Sequence, residues 1–187
     1  KRQDTDFDWK SPWPDGYATF LPIGTQMFAV DGYAPAFRLA ERSSGRWRIY
    51  DALVVPNARL GADLFDFHGN VQAIDIHIMM SDSNFAGQRI TQPNQIEDII
   101  RSILTAPIDP TRADVGSMTA RITFRFRDDT TSTQMYFPES ATLGRGLILP
   151  LEVRATFDRA IRDQRNTPHL FFPIQQPFPI SRDELIT

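Results

Sequence analysis

The stretch VQAIDIHIMM, residues 71–80, decides the fold of this chain because it has the cleanest alternation in the sequence. Every second residue from 74 to 78 is isoleucine, so the isoleucines share one side of an extended strand. Asp75 and His77 lie between them and point to the other side. β-Branched rows of this kind suit the buried face of a sheet. We therefore predict a strand here whose isoleucines lie in the core.

The segment that follows predicts a helix with a matching apolar surface. PNQIEDIIRSILTAP, residues 93–107, has apolar residues at the i, i+3, i+4, i+7 and i+8 positions of an amphipathic helix. This stripe consists of Ile96, Ile99, Ile100, Ile103 and Leu104. Thr91 is the predicted N-cap, Pro93 suits the first turn and Pro107 ends the helix. We expect the stripe to pack against the isoleucine face of residues 71–80.

The other patterned segments complete an α+β fold. Residues 17–55 contain four strand-like runs that are separated by glycine-containing turns, which is typical of a meander. Residues 118–137 predict a hairpin that turns at Asp128-Asp129. Residues 151–164 predict a second helix, whose apolar stripe consists of Val153, Phe157, Ala160 and Ile161. The predicted fold is an antiparallel β-meander followed by an antiparallel sheet that two helices cover.

The same patterns divide the chain into four parts. They are an N-terminal tether at residues 1–16, a β-meander lobe at 17–60, an α+β lobe at 61–165 and a Pro/Phe-rich arm at 166–187. The prolines of the arm exclude regular helix and central strand, yet its phenylalanines need an apolar surface. We therefore expect the tether and arm to pack either on the domain's own surface or on a protein partner. The candidate partner contacts are Trp9, Trp13, Phe171, Phe172 and Phe178.

Composition excludes several classes of function. Twenty basic and 23 acidic residues give a net charge of −3 and no overall basic character, so nucleic acid is not a predicted partner. The absence of cysteine excludes disulfides, iron–sulfur clusters and thiol nucleophiles. No apolar run approaches the roughly 18 residues of a membrane-spanning helix. No cofactor or metal site is predicted.

Two rows of arginine are candidate contacts for an anion. The first lies on a hairpin of the meander and includes Arg46 and Arg48, with Arg38 and Arg42 nearby in the sequence. The second includes Arg121 and Arg125, together with Arg127. The alternative is a solvated sheet face with cross-strand charge pairs, which we favour for both rows. The expected partners of the second row are Asp128, Asp129 and Glu139.

Four residues are candidates for the catalytic site of a hydrolase. Asp66 and His68 lie on the same side of an extended segment, and Asp75 and His77 repeat that spacing. An aspartate beside a histidine suits an assisted general base. No nucleophile motif such as GxSxG accompanies them, and no third ligand completes a metal site. We therefore predict turn and surface roles and assign no catalytic residue.

The order of elements in residues 71–161 resembles small ectodomains of bacterial membrane-anchored proteins and lipoproteins. The matching segments are VQAIDIHI, ITQPNQIEDIIRSIL, ITFRFRDDTTSTQMYF, GLILP and VRATFDRAI. The upstream GYAPAFRLA and GRWRIYDALVVPNARLGADLFDFHGNVQAI resemble such proteins from Chloroflexi-like bacteria. The resemblance implies an extracytoplasmic domain that is tethered at its N-terminal side. Its motifs are structural, so it implies no site residue.

Together these patterns predict a non-catalytic, extracytoplasmic interaction or accessory domain of a membrane-associated protein or complex. Its expected partner is a protein that is itself membrane-associated. A module that binds a small ligand or an anion is the first alternative, and a hydrolase with an Asp/His pair is the second.

Overall fold

A computed structural model describes residues 21, 24–43, 45–52, 55, 57–78, 87–112, 120–144 and 146–166. The predicted tether at residues 1–16 and almost all of the predicted arm lie outside the described residues. The aromatic partner contacts that we expect in those two segments therefore stay predictions.

The described chain contains nine strands and three α-helices. The strands are β1 (Met27–Ala29), β2 (Arg38–Ser43), β3 (Arg46–Asp51), β4 (Val71–Ile78), β5 (Gln88–Ile90), β6 (Ala120–Phe126), β7 (Thr131–Phe137), β8 (Thr142–Leu143) and β9 (Leu147–Ile148). The helices are α1 (Gly61–Leu64), α2 (Pro93–Thr105) and α3 (Leu151–Asn166), and a 3-10 turn occupies Pro110–Arg112.

The strands form two antiparallel sheets. The small sheet has the order β1-β2-β3, and the large sheet has the order β5-β4-β6-β7-β8-β9. Every neighbouring pair of strands is antiparallel. Together with α2 and α3, these sheets confirm the predicted α+β class.

The core lies between one face of the large sheet and the two long helices. Ile74 and Ile76 of β4 are completely buried, and so is Phe124, which lies opposite Ile74 on β6. All five residues of the predicted α2 stripe are buried, as are all four of the predicted α3 stripe. Both helices contact β4. The prediction that the isoleucine face of β4 packs against the helix now labelled α2 is therefore confirmed.

A tyrosine anchors α3 to the large sheet. The ring of Tyr136 on β7 meets Phe157 edge-on at 5.6 Å between centroids. Its hydroxyl donates a hydrogen bond to Asp158 Oδ1 at 2.7 Å. Burial, and then the neighbouring Asp158 carboxylate, raise the pKa of Tyr136 well above the usual range, so this hydroxyl stays a donor.

One local expectation is wrong, and two short elements show no pattern in the sequence. The N-cap of α2 is Gln92, not Thr91, and it gives no side-chain cap bond to the helix. Gln88–Ile90 forms the edge strand β5, but three residues are too few to show a period in the sequence. The short helix α1 is likewise too brief to be seen from periodicity. Asp63 of α1 accepts hydrogen bonds from the backbone N–H groups of Arg59 and Leu60.

A buried arginine joins the small sheet to the large one. Arg38 of β2 has no exposed surface and pairs with Asp51 of β3 at 2.8 Å. Its guanidinium donates across to Thr130 Oγ1 at 2.7 Å and to the carbonyl of Thr131 at 3.3 Å. It also lies 4.3 Å from the centroid of the Phe126 ring. Both interpretations of the first arginine row, an anion-binding patch and a solvated sheet face, place Arg38 at the surface, and for this residue both are wrong.

Gly61 allows α1 to pack directly on α2. Its backbone N–H donates to the carbonyl of Ala106 at 2.9 Å. A Cβ at position 61 would overlap the backbone carbonyl of Ile103, which lies inside α2. Only glycine fits this contact without moving one of the helices.

Candidate functional site: the arginine face of the large sheet

The face of the large sheet that is turned away from α2 and α3 carries polar side chains. One row crosses four strands, from Arg89 on β5 through Asp75 on β4 and Thr123 on β6 to Thr133 on β7. The two threonine hydroxyls hydrogen-bond each other at 3.0 Å. The alternation that buries the isoleucines of β4 therefore places its acid on the opposite face.

Asp75 is the centre of this face. It is only 3% exposed although it lies on the polar side of the sheet. Arg89 donates to it from Nε at 2.6 Å and from a terminal nitrogen at 3.1 Å. Arg125, two residues along β6 from Thr123, donates from Nε to Oδ2 at 2.6 Å, the oxygen that also accepts from the terminal nitrogen of Arg89. One carboxylate thus holds two guanidiniums in place.

The carboxylate stays ionised in spite of its burial. Burial by itself would raise the pKa of Asp75, but hydrogen bonds and charge from Arg89 and Arg125 outweigh it and hold the pKa below its usual range. Ionised oxygens make short, strong hydrogen bonds with guanidinium groups. The two arginines are therefore oriented before any partner arrives.

Both guanidiniums keep donors available to solvent. The side chains of Arg89 and Arg125 are 53% and 42% exposed. Arg125 uses only its Nε among the described residues, so both of its terminal amino groups are available there. These groups can donate in pairs to a carboxylate or a phosphate.

A third arginine lies further along the same face. Arg121 of β6 lies between His77 of β4 and Met135 of β7. It is exposed, and it forms no hydrogen bond or ion pair with the residues that the structure describes. Arg125 lies four residue steps further along the strand, a span of about 13 Å. We call Arg89, Arg121 and Arg125 the arginine face; with Asp75 they give three positive charges against one negative.

The predicted partners of the second arginine row are wrong. Arg125 pairs with Asp75, not with Asp128, Asp129 or Glu139. Arg127 donates from Nε to the carbonyl of Gly69. The sequence hides the Asp75 pair because its members are 50 residues apart and meet only when β4 and β6 adopt their register.

The first arginine row lies elsewhere. Arg46 and Arg48 are exposed on β3 of the small sheet. Arg48 lies opposite Glu41 in the β2–β3 register, with 3.6 Å between the charged atoms, which is the cross-strand pairing we favoured. The four candidate anion contacts therefore divide between two sheets. The arginine that reasoning from sequence missed is Arg89, on the short strand β5.

The four residues of the hydrolase alternative serve separate roles. Asp66 accepts the backbone N–H of Ala34 at 2.7 Å, and His68 lies exposed in the turn before β4. Asp75 gives its oxygens to arginines and not to His77. His77 packs against Gly87, where an added Cβ would lie 2.5 Å from its Nδ1. Within the described residues, this arrangement forms no aspartate-assisted histidine.

The part of the chain that the structure describes lacks two features. No group of three or more histidine, aspartate or glutamate side chains in it could hold a metal ion. Among the helices that the structure describes, none is long and apolar enough to span a membrane.

Comparison with known proteins finds no relative. No family model matches the chain, and no curated protein and no solved structure matches it either. The interpretation of the arginine face therefore depends on its own geometry.

The salt bridges of Asp75 predict how the free energy of unfolding depends on pH below neutrality. The unfolded chain has an ordinary aspartate pKa near 4, and the folded chain has a lower one. The stabilisation from Asp75 is thus fully present above about pH 4 and is lost as the pH falls through the folded value.

Urea unfolding between about pH 6 and pH 3 checks this expectation. The variant Asp75→Asn is expected to be about 1 kcal/mol less stable at neutral pH, since the guanidiniums that it loses are half exposed. Its stability should also fall less steeply with acid than that of the wild type. Parallel slopes for the two proteins would contradict the predicted role of Asp75.

Proposed function

We propose that this protein is a non-catalytic interaction domain that binds an acidic protein partner on its arginine face. One observation carries the proposal: two half-exposed guanidiniums are fixed on a buried carboxylate, and a third arginine without a described partner lies on the same face. The predicted location outside the cytoplasm and the tether at residues 1–16 belong to the same proposal. The location rests on the sequence resemblance alone, and the tether also on the sequence pattern of its residues.

The chemistry of the face favours a protein strand with carboxylates over a single small ion. An extended segment presents alternate side chains on one side, about 7 Å apart. The span of about 13 Å between Arg121 and Arg125 therefore matches two such steps. A guanidinium can donate two parallel hydrogen bonds to one carboxylate. Because the arginines are already held in a fixed orientation, binding loses less conformational entropy.

The first test measures binding of a defined acidic probe to the whole chain. The probe is a fluorescein-labelled, ten-residue peptide of alternating glutamate and threonine, and fluorescence anisotropy is read at low salt. Arg121→Glu is expected to weaken binding about tenfold, because reversing one charge costs the complex on the order of 1.4 kcal/mol. This variant leaves both Asp75 pairs in place.

The matched control is Arg162→Glu, which makes the same charge change on an exposed position of α3, across the sheet from the arginine face. The control should bind the peptide as the wild type does. Equal weakening by both variants would mean that net charge alone drives binding, and it would overturn the proposal. The proposal also fails if inorganic phosphate stabilises the chain while the peptide does not bind.

A further inference from the structure

A groove lies at the Val71 end of β4, away from His77. It is an open groove of about 440 Å³ between the turn that precedes β4 and the first turns of α2. Its floor is made by side chains of the core: Phe67, Val71, Ile96 and Ile100. Small-molecule sites in proteins occupy a few hundred cubic ångströms and have mainly apolar linings, so the size and floor both suit a small ligand.

The groove has one cation in a fixed position on its rim. Arg127, in the turn between β6 and β7, donates from Nε to the carbonyl of Gly69 at 3.0 Å. Its own backbone N–H donates to the carbonyl of Asn70 at 2.9 Å. Among the described residues the guanidinium makes no other hydrogen bond, which leaves its terminal amino groups available. An anionic group at this end of the groove would receive two donors at once.

The acid on the rim does not cancel this cation. Glu97 of α2 lines the groove, but its Oε1 accepts a hydrogen bond from Arg101 at 2.8 Å, one helical turn away. Gln72 is neutral, and its amide nitrogen already donates to the carbonyl of Phe126 at 2.8 Å. The lining also includes the exposed side chains of His68 and Thr91, so the arrangement is an apolar floor beneath a polar rim whose one arginine is Arg127.

From this arrangement we propose that the groove binds a small monocarboxylate with an apolar body of about ten non-hydrogen atoms. The carboxylate pairs with the terminal amino groups of Arg127, and the apolar body lies along Val71 and Ile96. This site is separate from the arginine face, and the proposal does not depend on the proposed function.

The test uses two probes of equal shape, 3-phenylpropionate and its uncharged amide, 3-phenylpropionamide. Each is titrated into the isotope-labelled full chain, and backbone amide shifts are followed by NMR. 3-Phenylpropionate is expected to shift the backbone resonances of Gly69, Gln72 and Ile96. 3-Phenylpropionamide is expected to bind with an affinity at least about tenfold lower. Equal responses to both probes would overturn the role of charge.

Two rim variants sharpen the result without disturbing the core. Arg127→Gln should abolish the preference for the carboxylate, while Arg162→Gln on α3 should keep it. Thr91→Arg adds a second cation at an exposed rim position and should tighten binding of 3-phenylpropionate. This gain cannot result from misfolding. Shifts confined to the arginine face, or no shifts up to saturating probe, would overturn the proposal.

Discussion

Replacing Arg38 with methionine is expected to lower the free energy of unfolding by about 3 kcal/mol. Methionine keeps the apolar contact with Phe126 but removes the donors to Asp51, Thr130 and the Thr131 carbonyl. Asp51 would then keep its charge beside the core without a partner. Breaking a buried pair by removing one member costs far more than losing an exposed one.

Urea unfolding with Arg46→Met as the matched control measures this effect. Arg46 is an exposed arginine on β3 opposite Ser43, so its replacement should leave stability nearly unchanged. If Arg38→Met does not fold, Arg38→Lys still gives a result, because it keeps the charge but loses the fork of donors. An equal, small loss for the two methionine variants would mean that Arg38 does not join the sheets energetically.

Gly61→Ala is expected to cost about 3 kcal/mol through overpacking at the α1–α2 contact. The new methyl group would overlap the carbonyl of Ile103, and neither helix backbone can give way without losing its own hydrogen bonds. One of those bonds joins Gly61 itself to Ala106. Thermal and urea unfolding should both show the loss.

The comparison for this prediction is Gly32→Ala. Gly32 has a left-handed φ of 80°, and open space surrounds its missing side chain. Alanine there meets backbone strain alone, which costs about 1 kcal/mol. If Gly61→Ala were no more destabilising than Gly32→Ala, the close approach of α1 to α2 would not have the importance that we give it.

The sequence predicts the large sheet and its helices because period and burial agree there. The isoleucines of β4 and the stripe of α2 each show their period over enough residues to be detected. The hairpin of β6 and β7 has the same advantage, with a turn signal between its strands. For these elements the local pattern and the final packing point to one answer.

The candidate site was harder to predict because its contacts join residues that are distant in the sequence. Arg89 belongs to β5, an edge strand of only three residues. Asp75 belongs to β4, and the register of β4 with its neighbours decides which arginines Asp75 contacts. Arg38 resembles its surface neighbours Arg42, Arg46 and Arg48 in type and spacing. Only the three-dimensional contact with Phe126 and Thr130 distinguishes a buried arginine from exposed ones.

The contact between Arg38 and Thr130 also bears on the order in which the chain becomes structured. Its two residues are 92 positions apart, so the β2–β3 hairpin is synthesised long before its anchor exists. The β2–β3 hairpin can form from contacts between residues close in sequence. The guanidinium of Arg38 must stay hydrated until the turn between β6 and β7 has formed. Docking of the small sheet on the large one is therefore expected to be a late event in folding, after the central hairpin has closed.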